Sequence, residues 1–260
     1  MSDMEVKGMK ITFLGTGTST GVPEIGCTCP VCTSADPRDR RLRVSVLVET
    51  GDARILIDCG PDFREQMLRV PFDRLDGVLL THEHYDHTGG IDDLRPFCRF
   101  GDIDIFADGL TCTHLRERLP YLFKEVLYPG VPRLHFHAMQ PYQAFEVKGV
   151  EVLPLQVMHG ALPILGYRIG PLGFVTDMLT APEATYEALC GVDVLIVNAL
   201  RPFAHGSHQT INDAIAFGEK VGAKDTYLIH MSHQAGLHAE TDALLPHHVQ
   251  LAYDGLVIEL

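Results

Sequence analysis

The sequence predicts an α/β protein whose β-sheets pack face to face with helices on the outside. Strand and helix patterns are mixed from one end of the 260-residue chain to the other. Hairpin signals are too frequent for a simple doubly wound parallel sheet. No Ser/Pro-rich linker, charge block or fixed-period repeat interrupts the pattern, so we expect one domain covering residues 1–260.

The first half of the chain alternates between strand and helix patterns. Apolar runs bounded by turn residues predict strands in "KITFLG", "RVSVLVETGDARILIDCG" (a hairpin turning at "TGDA"), "GVLLT" and "IDIFAD". Helical spacing predicts helices in "DFREQMLRV", "GGIDDLRPFCRF" and "LTCTHLRERLPYLF". "GTGTSTG" after the first strand lacks a following Lys-Ser/Thr and a clean helix start, so it supports neither a P-loop nor a dinucleotide site.

The second half is strand-rich at first and then alternates regularly. Past "RLHFHAM" we expect strands in "AFEVKGVEVLPLQV", "LGYRIG" and "LGFVTD". The last third predicts, in order, helix "APEATYEALC", strand "VDVLIVNAL", helix "TINDAIAFGEKVG", strand "DTYLIHM", a short helix and the strands of "VQLAYDGLVIEL".

Charge and hydropathy narrow the classes of partner. The net charge of −13 argues against a protein that grips nucleic acid through clustered Lys and Arg, so nucleic acid is an unlikely partner. The beginning of the chain has no apolar signal region, and no stretch approaches about 18 uninterrupted apolar residues. We therefore expect a cytoplasmic protein without a membrane partner, and a homodimer is left open.

The stretch "THEHYDHTGG" follows a buried strand and crowds four metal-binding side chains into six positions: His82, His84, Asp86 and His87. On an extended segment, residues i and i+2 project to the same side, so His82 and His84 can share one ion. Asp86 and His87 follow where the chain turns, and they can face a second ion. Without a cation, this crowding would leave unpaired polar groups in a half-buried pocket. A metal site is therefore predicted.

Three later strands each end in one further candidate ligand. His159 ends "LPLQVMH", Asp177 ends "LGFVTD" and His230 ends "TYLIH". Alone, each would be better explained as a structural residue, but as a set they supply what a dinuclear site needs. One carboxylate, such as that of Asp177, can place an oxygen on each ion. We predict two divalent ions, Zn²⁺ or Mn²⁺, because histidine and carboxylate ligands suit either metal.

Seven cysteines include the cluster "CTCPVC", which contains Cys27, Cys29 and Cys32. Without a secretory signal, this clustering favours a metal over disulfides. The three thiolates are one ligand short of a tetrahedral zinc shell, and His233, three residues past His230, is the best candidate for the fourth. One structural Zn²⁺ is predicted there. The remaining cysteines, Cys59, Cys98, Cys112 and Cys190, are expected to be passive, the last three as small core residues.

The "THEHYDH" run and the later strand-end ligands resemble the metallo-β-lactamase superfamily. The resemblance covers essentially the whole chain and implies an αββα sandwich, with two mixed β-sheets flanked by helices and the metals at one edge. It also implies that Asp58, at the end of "ILID", does not bind a metal itself but holds the metal ligands in position. The cysteine loop with "HMSH" is similar to the subgroup that contains the cyclic phosphodiesterase of the carbon–phosphorus lyase pathway, in which such a loop and a late histidine hold structural zinc.

This subgroup implies a phosphodiesterase that acts on a small cyclic or simple phosphodiester by attack of a metal-bridging hydroxide. "HGSHQTINDAI" offers His205 and His208 on a loop before a helix, and His208 matches the subgroup's proposed catalytic histidine. His208, as general acid or leaving-group stabiliser, and Asp86 are the candidate catalytic residues. Hydrogen bonding at the helix start, without chemistry, is an equal alternative for His208. Arg43, Arg64 and Arg201 could bind a remote phosphate, but solvated surface arginines explain each of them better.

Three other functions stay open. An RNA-processing nuclease shares the histidine signature, but the acidic balance and the lack of a long basic insertion count against it. A thioester or lactone hydrolase would use the same site chemistry on a carbonyl. A non-catalytic accessory protein of cofactor biosynthesis is favoured less, because the full set of seven candidate ligands is present.

Overall fold

The computed structural model describes residues 8–124 and 130–260. In chain order the strands are β1 (Met9–Gly15), β2 (Ser45–Thr50), β3 (Ala53–Ile57), β4 (Gly77–Leu79), β5 (Ile103–Asp108), β6 (Leu134–Met139), β7 (Phe145–Val147), β8 (Val150–His159), β9 (Leu162–Ile169), β10 (Leu172–Val175), β11 (Val194–Asn198), β12 (Asp225–Ile229), β13 (Val249–Leu251) and β14 (Val257–Glu259). The α-helices are α1 (Phe63–Met67), α2 (Tyr85–Thr88), α3 (Gly109–Arg118), α4 (Glu183–Leu189), α5 (Ile211–Val221) and α6 (His238–Asp242). Short 3₁₀ helices cover Pro37–Asp39, Ile91–Arg99, Pro120–Phe123 and His233–Ala235.

The described residues form two mixed sheets of seven strands each, as the sequence predicts. Their strand orders are β14-β1-β2-β3-β4-β5-β6 and β13-β12-β11-β10-β9-β8-β7. Strands β3 to β6 run parallel, and so do β10 to β13. Strand β8 runs in the same direction as β10, because both are antiparallel to β9, which lies between them. The carboxyl ends of these parallel strands therefore meet at one edge of each sheet.

Three layers of apolar side chains hold the sandwich together. Alternate residues of one strand enter different layers, because successive side chains point to opposite faces of a sheet. In β3, Ile55 and Ile57 belong to the core between the sheets, whereas Leu56 packs outward beneath the helices. In β11, Ile196 faces the central core and Leu195 faces the opposite outer core. Both sheets are thus buried on two faces, which explains their continuous apolar runs.

Some local predictions differ from the structure. "GGIDDLRPFCRF" forms a 3₁₀ helix over Ile91–Arg99 that contains Pro96, which has no backbone N–H to donate. Cys98 and Cys112 are buried as expected, but Cys190 is exposed at the end of α4, so its prediction as a core residue is wrong. None of the helices described is both long and apolar enough to cross a membrane.

Candidate metal centre

The candidate ligands lie where parallel strands end. His82 and His84 lie between β4 and α2, and Asp86 and His87 lie in α2. His159 ends β8, Asp177 follows β10 and His230 follows β12. Asp58 directly follows β3. The carboxyl ends of these strands, from both sheets, lie along one edge of the sandwich, so candidate ligands up to 148 residues apart (from His82 to His230) come together.

Backbone strain marks the same edge. Asp58, Asp177 and His230 have left-handed φ angles of 60°, 56° and 56°. Residues other than glycine rarely adopt this region, and each such residue costs on the order of 1–3 kcal/mol that the surrounding structure must offset. Three strands therefore end in a strained turn that carries a polar side chain, and strain of this kind concentrates at functional sites.

One group of ligand atoms consists of Asp86, His87, Asp177 and His230, all within 4.8 Å of one another. The Nε2 atom of His87 lies 3.2 Å from Oδ2 of Asp86 and 3.3 Å from Oδ1 of Asp177. The Nε2 atom of His230 lies 3.2 Å from Oδ2 of Asp177. These four side chains are largely buried, so the group can enclose a cation.

A second group lies on the other side of Asp177. The Nε2 atom of His82 lies 3.9 Å from Oδ2 of Asp177 and 3.0 Å from Nδ1 of His84. The rings of His84 and His159 are 5.2 Å apart, and His159 and Asp177 also share a compact group of ligand atoms with His208. His84 is exposed, so the pocket opens to solvent on this side. Asp177 thus lies between the two groups, as a shared carboxylate would.

Asp58 fixes the orientation of His87. Its carboxylate accepts hydrogen bonds from the backbone N–H and the hydroxyl of Thr81, and Oδ2 lies 2.7 Å from Nδ1 of His87. This contact turns Nε2 of His87 toward the cluster, which is how carboxylates commonly orient a metal-binding histidine. Burial raises the pKa of Asp58, and the contacts with His87 and Thr81 oppose that rise. Thr81 was not singled out from the sequence, although it immediately precedes the histidine run.

Unpaired ring nitrogens show whether the pocket fits a metal. Among residues 8–124 and 130–260, Nε2 of His87, Nε2 of His230 and Nδ1 of His208 are buried without a hydrogen-bond partner. An unsatisfied buried polar atom costs about 1–3 kcal/mol. A cation would pair these nitrogens and the adjacent carboxylates at once. The donor set of imidazoles and carboxylates therefore fits divalent ions.

The electrostatics of the pocket agree with that fit. Burial disfavours a charge on His87, but Asp177, Asp58 and Asp86 together raise its pKa well above the usual range. Burial likewise disfavours a charged Asp177, but His230 and His87 hold its pKa well below the usual range. The carboxylates of the pocket thus favour a positive charge between them. Divalent cations would supply that charge.

The two loop histidines differ in position. His208 is buried, its Nδ1 lies 3.9 Å from Oδ2 of Asp177, and its ring lies 4.7 Å from that of His159. His205 is exposed, and its ring lies 5.0 Å from that of His208. The loop therefore places the side chain of His208 within the cluster, whereas the side chain of His205 is exposed to solvent. Burial, reinforced by His230, lowers the pKa of His208 to about 3, so its ring is neutral at neutral pH.

Cys27, Cys29, Cys32 and His233 form a separate compact group. Nδ1 of His233 lies 3.1, 3.4 and 3.5 Å from the three sulfur atoms, in that order. The backbone N–H of Cys32 helps to lower the pKa of Cys29 to about 6, which favours the thiolate that binds metal. Glu24, three residues before Cys27, was missed in the sequence; its Oε2 lies 3.2 Å from Nε2 of His233 and orients the ring.

Comparison with known proteins places this site in a family. The model described as a beta-lactamase superfamily domain matches residues 53–231. A solved structure, described as a new diphosphatase from the PhnP family, is 40% identical with a TM-score of 0.91, and the match covers 98% of both chains. An octanoyltransferase of Porphyromonas gingivalis is 47% identical over 250 residues, which cover 95% of this chain and 51% of that protein. Coenzyme PQQ synthesis protein B of Acinetobacter baumannii is 27% identical over 180 residues, covering 63% of this chain and 58% of that protein.

The chain spans about half the length of the curated relatives it matches. The matched superfamily model nevertheless covers most of this chain, and the diphosphatase structure matches it nearly from end to end. The fold implies divalent metal ions, in accord with the donor set. The chain therefore belongs to the metallo-β-lactamase superfamily, in its PhnP-family subgroup, and its fold is that of a metal-dependent hydrolase.

Proposed function

We propose that the chain is a dinuclear phosphodiesterase that hydrolyses a small cyclic or simple phosphodiester. The observation that carries this proposal is the meeting of seven histidine and aspartate side chains where strands of both sheets end, with Asp177 between two groups. Support for a phosphate substrate comes from the similar diphosphatase of the PhnP family.

The two groups divide the ligands between two ions, either Zn²⁺ or Mn²⁺. Asp86, His87 and His230 would hold one, His82, His84 and His159 would hold the other, and Asp177 would bind both. When bound, divalent ions supply a water of lowered pKa and polarise a phosphoryl oxygen. Asp86 serves as a ligand and helps to set the charge of the pocket, and Asp58 holds His87 in place from behind.

His208 is the residue we propose to act on the leaving group. Its neutral ring keeps one N–H, which can donate a hydrogen bond to the departing oxygen. An anionic substrate beside the ring would raise the pKa of His208 and so favour full proton transfer. His205 is exposed, and we assign it no role in the reaction.

A structural Zn²⁺ held by Cys27, Cys29, Cys32 and His233 would stabilise the loop that follows β1. His233 lies three residues past His230, so an ion here connects that loop to the segment that carries a ligand of the catalytic pair. Closed sites of thiolates and one histidine are typical of structural zinc.

Acyl-ester hydrolysis is the second candidate, because the Porphyromonas gingivalis relative is an octanoyltransferase. That protein is about twice as long as the matched region, so its name applies to a longer protein than this chain. The same pocket could act on a carbonyl in place of a phosphoryl group.

A substrate panel separates these functions. Protein loaded with Zn²⁺ or Mn²⁺ is assayed with bis-(p-nitrophenyl) phosphate, a ribose cyclic phosphate, a precursor transfer RNA and an octanoyl thioester. We expect turnover of the first two, and loss of that turnover in Asp177→Asn. Turnover of the thioester alone would reject the phosphodiesterase, and turnover of the RNA alone would favour a nuclease.

A further inference from the structure

The loop between β11 and α5 carries His208 and closes on itself. The N–H of Leu200 bonds to the carbonyl of Gln209 at 3.1 Å, and the N–H of Ile211 bonds to the carbonyl of Arg201 at 3.1 Å. These two bonds bring the ends of the loop together, as in a compact Ω-loop. The tip of the loop is exposed, so few packing contacts hold its shape.

The side chain of Arg201 holds this loop from within. Its Nε atom donates to the carbonyl of Phe203 at 3.3 Å, and Nη2 donates to the carbonyl of Ala204 at 3.2 Å. The guanidinium also lies over the ring of Phe203, 4.4 Å from the ring centroid, where the ring face attracts a positive charge. The sequence predicts a solvated surface arginine here, but Arg201 is half-buried because it packs against its own loop.

The third donor of Arg201 reaches a different segment. Nη1 donates to Oε1 of Gln234 at 2.7 Å, and Gln234 directly follows His233 of the cysteine group. The hydroxyl of Ser232 accepts from the backbone N–H of Gln234 and donates to the carbonyl of Leu200. The start of the loop is therefore fixed to the segment that follows β12.

The far end of the loop contacts the metal centre. The carbonyl of Ser207 lies 3.2 Å from Nδ1 of His159, and the N–H of Gln209 bonds to the carbonyl of Met178 at 2.9 Å. In the part of the chain that the structure describes, Nδ1 of His208 has no hydrogen-bond partner. The ring of His208 is therefore placed by its loop and by packing against neighbouring rings, so a shift of the loop would move it.

We propose that Arg201 is a positioning residue that holds the loop so that His208 reaches the leaving oxygen of the substrate. The proposal rests on the proposed phosphodiesterase function, in which His208 donates to that oxygen, and adds a residue that acts through His208. The planar fork of a guanidinium can bond to two carbonyls and a side-chain amide at once, and a flexible lysine does not reproduce this geometry. Arg201 thus acts on the protein's own loop rather than on a phosphate of the substrate.

Leaving groups of different basicity test this role. Metal-loaded wild type, Arg201→Gln, His208→Ala and the double variant are assayed with a ribose 2′,3′-cyclic phosphate, whose departing alkoxide needs a proton. They are also assayed with bis-(p-nitrophenyl) phosphate, whose phenolate departs as an anion. For Arg201→Gln we expect kcat on the cyclic phosphate to fall about tenfold with KM unchanged, and turnover of the nitrophenyl ester to stay within about twofold of wild type.

The double variant distinguishes positioning from an independent effect. It should be no slower on the cyclic phosphate than His208→Ala, because the effects of residues that act through one another are not additive. Equal losses on both substrates in Arg201→Gln, or additive losses in the double variant, would overturn the proposal.

Arg168→Gln is the matched control. Arg168 is also half-buried and also donates to two backbone carbonyls, those of Gly170 and Ala188. It lies at the end of β9 away from the metal centre, since His159 pairs with Leu162 at the other end of that strand. We expect this variant to keep wild-type kcat on the cyclic phosphate, even where the lost bonds lower its melting temperature.

Hydrogen exchange tests the loop without reference to catalysis. We expect the amides of Leu200, Gln209 and Ile211, whose bonds close and anchor the loop, to exchange about tenfold faster in Arg201→Gln and at the wild-type rate in Arg168→Gln. Gln234→Ala is a milder variant that removes one acceptor of Arg201, and it should change exchange in the same direction.

Unchanged exchange in Arg201→Gln and Gln234→Ala would overturn the proposal. Failure of the wild-type protein to cleave either phosphodiester would reject the phosphodiesterase, while the exchange rates would still show whether Arg201 holds the loop.

Discussion

Asp177 combines the two properties that define the site at the scale of single residues. It has a left-handed φ of 56°, and its carboxylate lies between the two groups of histidines. The hydroxyl of Thr176 donates to Oδ1 of Asp177 at 2.7 Å and helps to hold the strained turn. Strain of this kind persists because the surrounding contacts over-determine it, so the carboxylate is held in place before any ligand binds.

His208 provides the first prediction for a single side chain. Replacement by alanine removes the proposed donor to the leaving group, so we expect kcat to fall by about 10²–10⁴-fold. Metal content, measured by elemental analysis, should stay near that of wild type because all seven candidate ligands remain. His205→Ala is the control and should retain activity, since His205 is exposed. Loss of metal in His208→Ala would instead make His208 a ligand, as its contact with Asp177 allows.

At the scale of elements, the ligand edge depends on close packing between two turns. The segment after β3 passes directly beneath α2, where the N–H of Cys59 bonds to the carbonyl of His87 and the N–H of Gly90 bonds to the carbonyl of Cys59. Gly60 and Gly90 leave no room for a side chain at this crossing. Gly90 is thus explained by close packing against the turn that carries Asp58, whereas a side chain at Gly89 would overlap Tyr85.

Gly60→Ala tests this packing. The added methyl group would force the Asp86 carbonyl to move and would displace Asp86 from the cluster. We expect unfolding free energy to fall by about 1–3 kcal/mol and the affinity for metal to fall with it, measured by denaturation and by metal titration. Gly109→Ala is the matched control, because a methyl group there meets open space at the start of α3 and should be neutral or mildly stabilising. Equal effects of both substitutions would contradict this account of the edge.

For the whole molecule, the cysteine group joins the amino-terminal loop to the second sheet. Cys27, Cys29 and Cys32 follow β1 of one sheet, and His233 follows β12 of the other. A zinc ion here would crosslink segments about 200 residues apart in sequence, and its binding energy would add to the stability of the fold.

Cys29→Ser tests this crosslink. We expect the variant to lose about one equivalent of zinc and to unfold at a lower temperature, because serine binds zinc weakly. The measurements are zinc content by mass spectrometry and a thermal melt. Cys190→Ser is the control, since Cys190 is exposed and is not part of the group. Unchanged zinc content in Cys29→Ser would refute a structural site at these residues.

The sequence by itself determined the class of fold and the chemistry of the site. Apolar runs that end in His82, His159, Asp177 and His230 could be read directly, because strand periodicity and ligand type are local properties of the chain. The exposure of Cys190 could not be predicted from the sequence, because it depends on what packs over the end of α4.

Only the tertiary structure decided how these side chains face one another. From the sequence, His208 was preferred to His205 only through the subgroup resemblance, since both precede the same helix, whereas the packed loop buries His208 and exposes His205. Local patterns specify which groups are available, and only long-range packing fixes the distances between them, because those distances depend on how the sheets and loops close on one another.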